Sequence, residues 1–201
     1  MASNVKPRSS YRQIQAAATR QRIAEAARTL FAVDGYGSTS IDAIAAEAGV
    51  AVRTVYSVFG TKREILTALC EQWLERARAV EMVAEVLAMP DAASRLRGAA
   101  HWLRTLYAAG FDVVTIFDAA MDESPETRAL LRSKLAGRNQ AMDAMIGSLK
   151  GHLRLPLRQA QAVFRALAAP GVYRELVEES GWSEDQFERW VADALQRDLL
   201  K

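Results

Sequence analysis

Between Arg20 and Phe59 apolar residues recur every three or four positions in three short bursts, punctuated by glycine. Ile23, Ala26, Ala27, Leu30 and Phe31 lay one apolar stripe on a helix from Arg20 to Tyr36, with Gly35 closing it. Ile41, Ile44, Ala45 and Ala48 lay a second stripe on a helix that starts at Ser38, Thr39 and Ser40, where a hydroxyl can accept from an orphan amide. Gly49 ends that helix in the left-handed conformation that a tight turn needs, and Val50 turns inward as an apolar anchor. Val55 and Phe59 then face the packing side of a third helix from Ala51 to Phe59. Two short helices joined by a glycine turn predict a helix-turn-helix.

Thr61 and Glu64 form a capping-box pair that starts a fourth helix. Leu69, Trp73, Val80, Val83 and Leu87 carry it as one piece until Pro90 breaks it, which makes it a link, and a possible lever, between two halves of the chain. Further helices read at 91–109, 111–122, 125–149, 156–168 and 183–199, with a short piece near 172–180. No strand alternation and no internal repeat competes. The fold expected is all-α: an arm over residues 1–18, a three-helix DNA-binding domain over 19–66 and a larger helical domain over 67–201.

The third helix points Val52, Arg53, Thr54, Tyr56 and Ser57 outward or to its flanks. Arg53 can donate two hydrogen bonds to a guanine edge, Thr54 and Ser57 can bond base or phosphate, Val52 can touch a thymine methyl, and Tyr56 offers a hydroxyl to phosphate. Lys62 and Arg63 open the fourth helix, where the partial positive charge of the helix end makes cations unfavourable by about 0.3–1 kcal/mol. A DNA phosphate held by the free amides and the Lys62 ammonium would reverse that sign.

The string T-x4-I-A-x2-A-G-V-x3-T-x-Y-x2-F-x2-K-x2-I, from Thr39 to Ile65, resembles the amino-terminal domain of the TetR family of one-component transcriptional regulators. The preceding stretch from Arg20 to Tyr36 is similar to that family's first helix. The resemblance implies a homodimer, a three-helix DNA-binding domain, and a helical domain that binds a small-molecule effector and dimerises. It assigns DNA contacts to Thr39, Val52, Arg53, Thr54, Tyr56, Ser57 and Lys62. Two positions depart from the family pattern. Ala51 stands where a capping Ser is frequent, a deficit of about 0.5–2 kcal/mol at that helix end, and Val58 stands where an aromatic residue or His is frequent.

Composition changes this picture little. One Cys excludes an intramolecular disulfide framework, and neither a membrane-length apolar run nor a signal-like leader interrupts the 201 residues, which points to the cytoplasm and no membrane partner. Net charge is only +2, but residues 1–69 hold nine Lys and Arg against five Asp and Glu, so the basic surplus sits with the motif. Lys6, Arg8 and Arg12 lie in a Ser-rich leader that reads either as an arm for a minor groove or as a plain solvated tail.

The second half is rich in aromatic and Met stripes: Trp102, Leu103, Leu106 and Tyr107; Phe111, Val114, Phe117 and Met121; Leu131, Leu135, Met142, Met145 and Ile146. Each alone reads as core. Together Trp102, Leu103, Leu106, Phe117, Met121, Met142 and Met145 suit an apolar effector between the middle helices, where the family resemblance places one. Leu157, Val163, Phe164 and Leu167, with Phe187, Trp190, Val191 and Leu195, give two carboxy-terminal helices apolar faces of the kind the family pairs across a twofold axis.

Asp118 interrupts an apolar face, as an anchor for a cationic ligand or as a solvated or Arg-paired carboxylate. Cys70 reads as a small packed side chain rather than a redox sensor, and His101 and His152 lack metal-ligand spacing. No cofactor and no catalytic set is expected: there is no phosphate-cradling Gly loop and no nucleophile elbow. The reading is a ligand-responsive transcriptional repressor that binds a (pseudo)palindromic operator in double-stranded DNA as a homodimer. The alternatives are an architectural DNA-binding protein and, further off, a helical enzyme.

Overall fold

The computed structural model describes the backbone of residues 8–201 and, Leu135 apart, the side chains from Tyr11 onward; Lys6 and the Arg8 side chain lie outside this range. The chain divides between Cys70 and Glu71 into two compact units. The amino-terminal unit holds α1 (Arg8–Val33), α2 (Ile41–Glu47), α3 (Val52–Phe59) and the first half of α4 (Lys62–Arg76). Helix α1 begins well before Arg20. Residues 8–18, expected in the arm, are helical, because Ala16, Ala17, Ala18 and the Gln and Arg residues around them are strong helix formers with no breaker after Pro7.

Ile23, Ala27, Phe31, Ile44, Ala45, Val55, Phe59, Ile65 and Leu66 form the core of this unit. Burial of a large apolar side chain contributes about 1.5–3 kcal/mol, so the periodic positions that announced the helices are also what hold them together. Gly49 adopts φ 64°, the left-handed value expected at the turn.

The carboxy-terminal unit contains the rest of α4, then α5 (Ala79–Ala88), α6 (Ala92–Ala108), α7 (Phe111–Ala120), α8 (Pro125–Gly147), α9 (Leu157–Leu167), α10 (Pro170–Tyr173) continuing as a π-helical turn over Arg174–Glu179, and α11 (Glu184–Leu199). Among the described residues there is no strand, only an isolated bridge between Leu153 and Leu200. Asp91, Ser124 and Ser183 cap α6, α8 and α11, the last with a full capping box.

The single helix expected to run from Thr61 until Pro90 is broken. Ala77 and Arg78 form a turn in which Arg78 takes φ 48°, and α5 restarts with its phase shifted. An unbroken helix would bury Val80, Val83 and Leu87; α5 buries Ala79, Met82 and Val86 instead and leaves Val80 78% exposed. Two indoles hold this arrangement. Trp102 donates to the carbonyl of Ala79 at 2.9 Å, and Trp73 donates to the carbonyl of Leu106 at 2.7 Å, both in buried surroundings.

Candidate DNA-reading surface and effector region

On α3 the two faces separate as the spacing predicts. Val55 and Phe59 are buried, Arg53, Tyr56 and Ser57 are exposed at positions i, i+3 and i+4, and Val52 and Thr54 lie half-buried at the flanks. Arg53 has no hydrogen bond or ion pair among the described residues, so its guanidinium is unengaged. Tyr56, 53% exposed, carries its hydroxyl on the same outward row. Ala51 provides no side-chain cap to α3.

Two residues assigned to DNA turn inward. Thr39 is 4% exposed and its hydroxyl donates to the carbonyl of Gly35 at 2.8 Å; the cap of α2 is Ser40, whose Oγ accepts from the Ala43 amide at 3.1 Å. Lys62 sends its ammonium to the carbonyls of Tyr36, Thr39 and Gly37 at 2.6, 3.0 and 3.2 Å, and stands 4.3 Å from the centre of the Tyr36 ring. An ammonium has three N–H groups, and three carbonyls take them. Both residues therefore pin the α1–α2 loop. The cation left exposed at the start of α4 is Arg63.

Thr61 caps α4 by accepting from the Glu64 amide at 3.2 Å while its hydroxyl donates to Glu64 Oε2 at 3.0 Å. Half of the expected capping box is thus replaced by a side-chain contact, and Glu64 is held over Gly60, where an added Cβ would lie 2.5 Å from the carboxylate.

Sequence spacing missed Arg20. Its Nη1 donates to the carbonyl of Val58 at 3.0 Å and its guanidinium lies 4.2 Å from the centre of the Phe59 ring. The last carbonyls of a helix are orphaned and carry partial negative charge, so a cation there caps the reading helix from a neighbouring element.

In the second unit α6, α7 and α8 pack on one another, which gathers the residues assigned to the effector. Trp102, Leu103, Leu106, Phe117, Met142 and Met145 are buried, and Met121 is half-buried. Beside them lies an aromatic group the spacing did not single out as a set: Tyr107, Phe111, Tyr173 and Phe187, with ring centres 4.7–5.4 Å apart. The Tyr107 hydroxyl donates to the carbonyl of Ala168 at 2.5 Å, and burial pushes its pKa up to about 12. Asp118 is exposed and pairs with no cation within 4.0 Å among the described residues; desolvation raises its pKa, with Arg174 and Arg138 pulling the other way from a distance.

The carboxy-terminal faces expected between subunits are partly spent inside one chain. Phe164, Phe187, Val191 and Leu195 have no exposed surface because α11 lies along α6 and α9 against α8 and α11. A second subunit has nothing there to cover. Leu157, Val163, Leu167 and Trp190 remain half-exposed. Cys70 is buried, and no group of three His, Cys, Asp or Glu suited to a metal occurs among the described residues. No helix among them is long and apolar enough to cross a membrane.

The sequence model of the bacterial regulatory proteins of the tetR family matches residues 23–69, the span that carries α2, the glycine turn and α3. Residues 23–69 carry the amino-terminal domain of the TetR family. No curated protein sequence matches this chain significantly. Its fold is that of FadR from Bacillus subtilis, solved with stearoyl-CoA, at 20% identity over 87% of this chain and 96% of that one with a TM-score of 0.71. FadR from Bacillus halodurans, a fatty acid degradation regulator, is similar at 21% identity over 88% and 94% of the two chains with a TM-score of 0.73. A Saccharomonospora viridis protein solved with choline is similar at 24% identity over 92% and 99% with a TM-score of 0.71. The matched domain is that of bacterial regulatory proteins.

Proposed function

We propose that this chain is a TetR-family repressor that binds a (pseudo)palindromic operator as a homodimer and releases it when a small, largely apolar effector enters the α6–α8 region. The observation that carries the DNA half is the outward row of Arg53, Tyr56 and Ser57 on a helix fixed from behind by Val55 and Phe59. Arg53 reads a base edge, Tyr56 and Ser57 bond phosphate or base, Val52 and Thr54 contact the groove from the flanks, and Arg63 holds a phosphate. Leu157, Val163, Leu167 and Trp190 supply the self-complementary apolar surface of the dimer.

The effector half is supported by the stripe of Trp102, Leu106, Phe117, Met142 and Met145, and by similar folds that were solved with stearoyl-CoA and with choline. A ligand shifts a conformational equilibrium only by its differential affinity for the two states. The effector therefore binds the DNA-incompetent arrangement more tightly, and α4, which runs from one unit into the other, is the element through which that preference passes. A reporter placed behind a promoter that overlaps the selected operator tests this directly. Transcription falls when the protein is supplied and recovers when an effector is added; transcription indifferent to the protein contradicts the proposal.

A further inference from the structure

We propose that the effector carries an acidic group, a carboxylate or phosphate, which Arg138 of α8 and Arg174 of the π-helical turn hold beside the rings of Tyr107, Phe111 and Tyr173. The inference rests on the reading that an effector binds next to α6, α7 and α8, and adds the charge of its head.

Arg138 stands where an apolar residue belongs. On α8 the buried phase runs through Leu131, Met142 and Met145, and Arg138 falls on that phase, four residues before Met142. Its Nε is buried without a hydrogen-bond partner among the described residues. Its Nη1 reaches the Tyr107 hydroxyl only at 3.4 Å, and that hydroxyl has already given its proton to the Ala168 carbonyl, so it can only accept. A buried donor left unmatched is unfavourable, and a guanidinium fork presents paired donors in the geometry that a carboxylate or phosphate accepts.

The local charge balance has the same sign. Arg138 and Arg174 both act on Asp118, yet neither forms an ion pair with it within 4.0 Å among the described residues, and Arg174 instead lies 5.9 Å from the centre of the Phe111 ring. Two cations face one carboxylate. Glu184, which also lies near Tyr173, is paired with Arg104 at 3.4 Å. A quaternary ammonium would find aromatic faces and Asp118 but also two like charges. Phe111, Asp118, Arg138 and Arg174 each keep some solvent-facing surface, so a head group can reach them.

Calorimetry on the full chain with four probes of equal chain length, each below its aggregation concentration, tests the assignment: decanoate, decyl phosphate, decyltrimethylammonium and decan-1-ol. The expected result is that both acids bind at least about tenfold tighter than the alcohol and the ammonium binds most weakly, in line with a charge-assisted hydrogen bond's share of affinity. Arg138→Gln and Arg174→Gln bring the acid-to-alcohol ratio toward one while decanol binding stays, and Asp118→Asn raises the ratio. Preference for the ammonium, an acid preference that survives in both Arg variants, or no binding of any probe overturns the proposal. If the ammonium binds best and also releases operator DNA, the effector region stands and its acidic head does not. If the acids bind as expected yet leave operator binding unchanged, the acid site stands and its regulatory role fails.

Discussion

Arg20 of α1 donates to the Val58 carbonyl at 3.0 Å, across 38 residues of sequence, and so caps the carboxy-terminal end of the helix that presents Arg53. Both helices pack on α2, and this hydrogen bond ties them directly to each other. Arg20→Ala should loosen the pitch of α3 and not the fold. Operator affinity is expected to fall about three- to tenfold, the scale of about 1 kcal/mol for an exposed charged contact, with far-ultraviolet dichroism unchanged and Arg20→Lys intermediate. Equal loss in Lys and Ala variants, or loss of helicity, would contradict a capping role.

Lys62 and Arg63 should part company. Lys62→Met keeps the stem over the Tyr36 ring but strips donors from three carbonyls, so the amino-terminal unit loses about 1.5–3 kcal/mol. Hydrogen exchange across residues 35–40 accelerates as a result. Arg63→Ala leaves exchange unaltered and lowers the slope of log affinity against log salt by about 0.9. The reverse pattern would return Lys62 to the phosphate and remove Arg63 from it.

The glycine turn, the outward row of α3 and most helix ends were legible in the sequence, because caps and periodicity are local properties. The inward turn of Thr39 and Lys62 was not. Both side chains suit a phosphate by chemistry, and only the fold shows that the Gly35, Tyr36, Gly37 and Thr39 carbonyls lie within their reach. The turn at Ala77 and Arg78 was equally hidden: Glu75, Arg76, Ala77 and Arg78 are good helix formers, and packing around Trp73 and Trp102 overrides that propensity. Arg138 is legible in the same periodicity. It sits on an apolar stripe, where a charge is the informative departure.

Tyr107 links pH to stability. Its folded pKa, about 12, stands above its ordinary value of 10.0, so the folded state holds this proton more tightly, and the associated stability is complete below about pH 10 and lost as pH rises toward 12. Tyr173 adds to the same window, also with a pKa of about 12. Tyr107→Phe leaves the Ala168 carbonyl unmatched, which costs about 1–3 kcal/mol at neutral pH, and shallows the alkaline loss. Urea unfolding from pH 8 to 12 measures both; an unchanged alkaline slope in the variant would contradict the linkage.

Gly98 of α6 lies against the end of α5. A Cβ there would lie 2.8 Å from Met89 Sδ and 2.9 Å from Val86 Cγ2. Gly98→Ala is expected to destabilise the carboxy-terminal unit by about 1–3 kcal/mol through overpacking, despite alanine's better helix propensity. Thermal unfolding would show a lower midpoint, and Gly98→Ala with Met89→Ala would restore part of it.

The central claim is that α3 reads DNA sequence through Arg53. Selection of bound fragments from random duplex DNA, run in parallel with the wild-type protein and Arg53→Ala, tests it most directly. The wild type should enrich an inverted repeat whose half-sites are spaced by about one or more helical turns, and the Arg53→Ala pool should lose preference at one symmetric pair of positions with about 1–3 kcal/mol less discrimination there. No enrichment by the wild type, or the same motif with the same preferences from both proteins, would contradict the account.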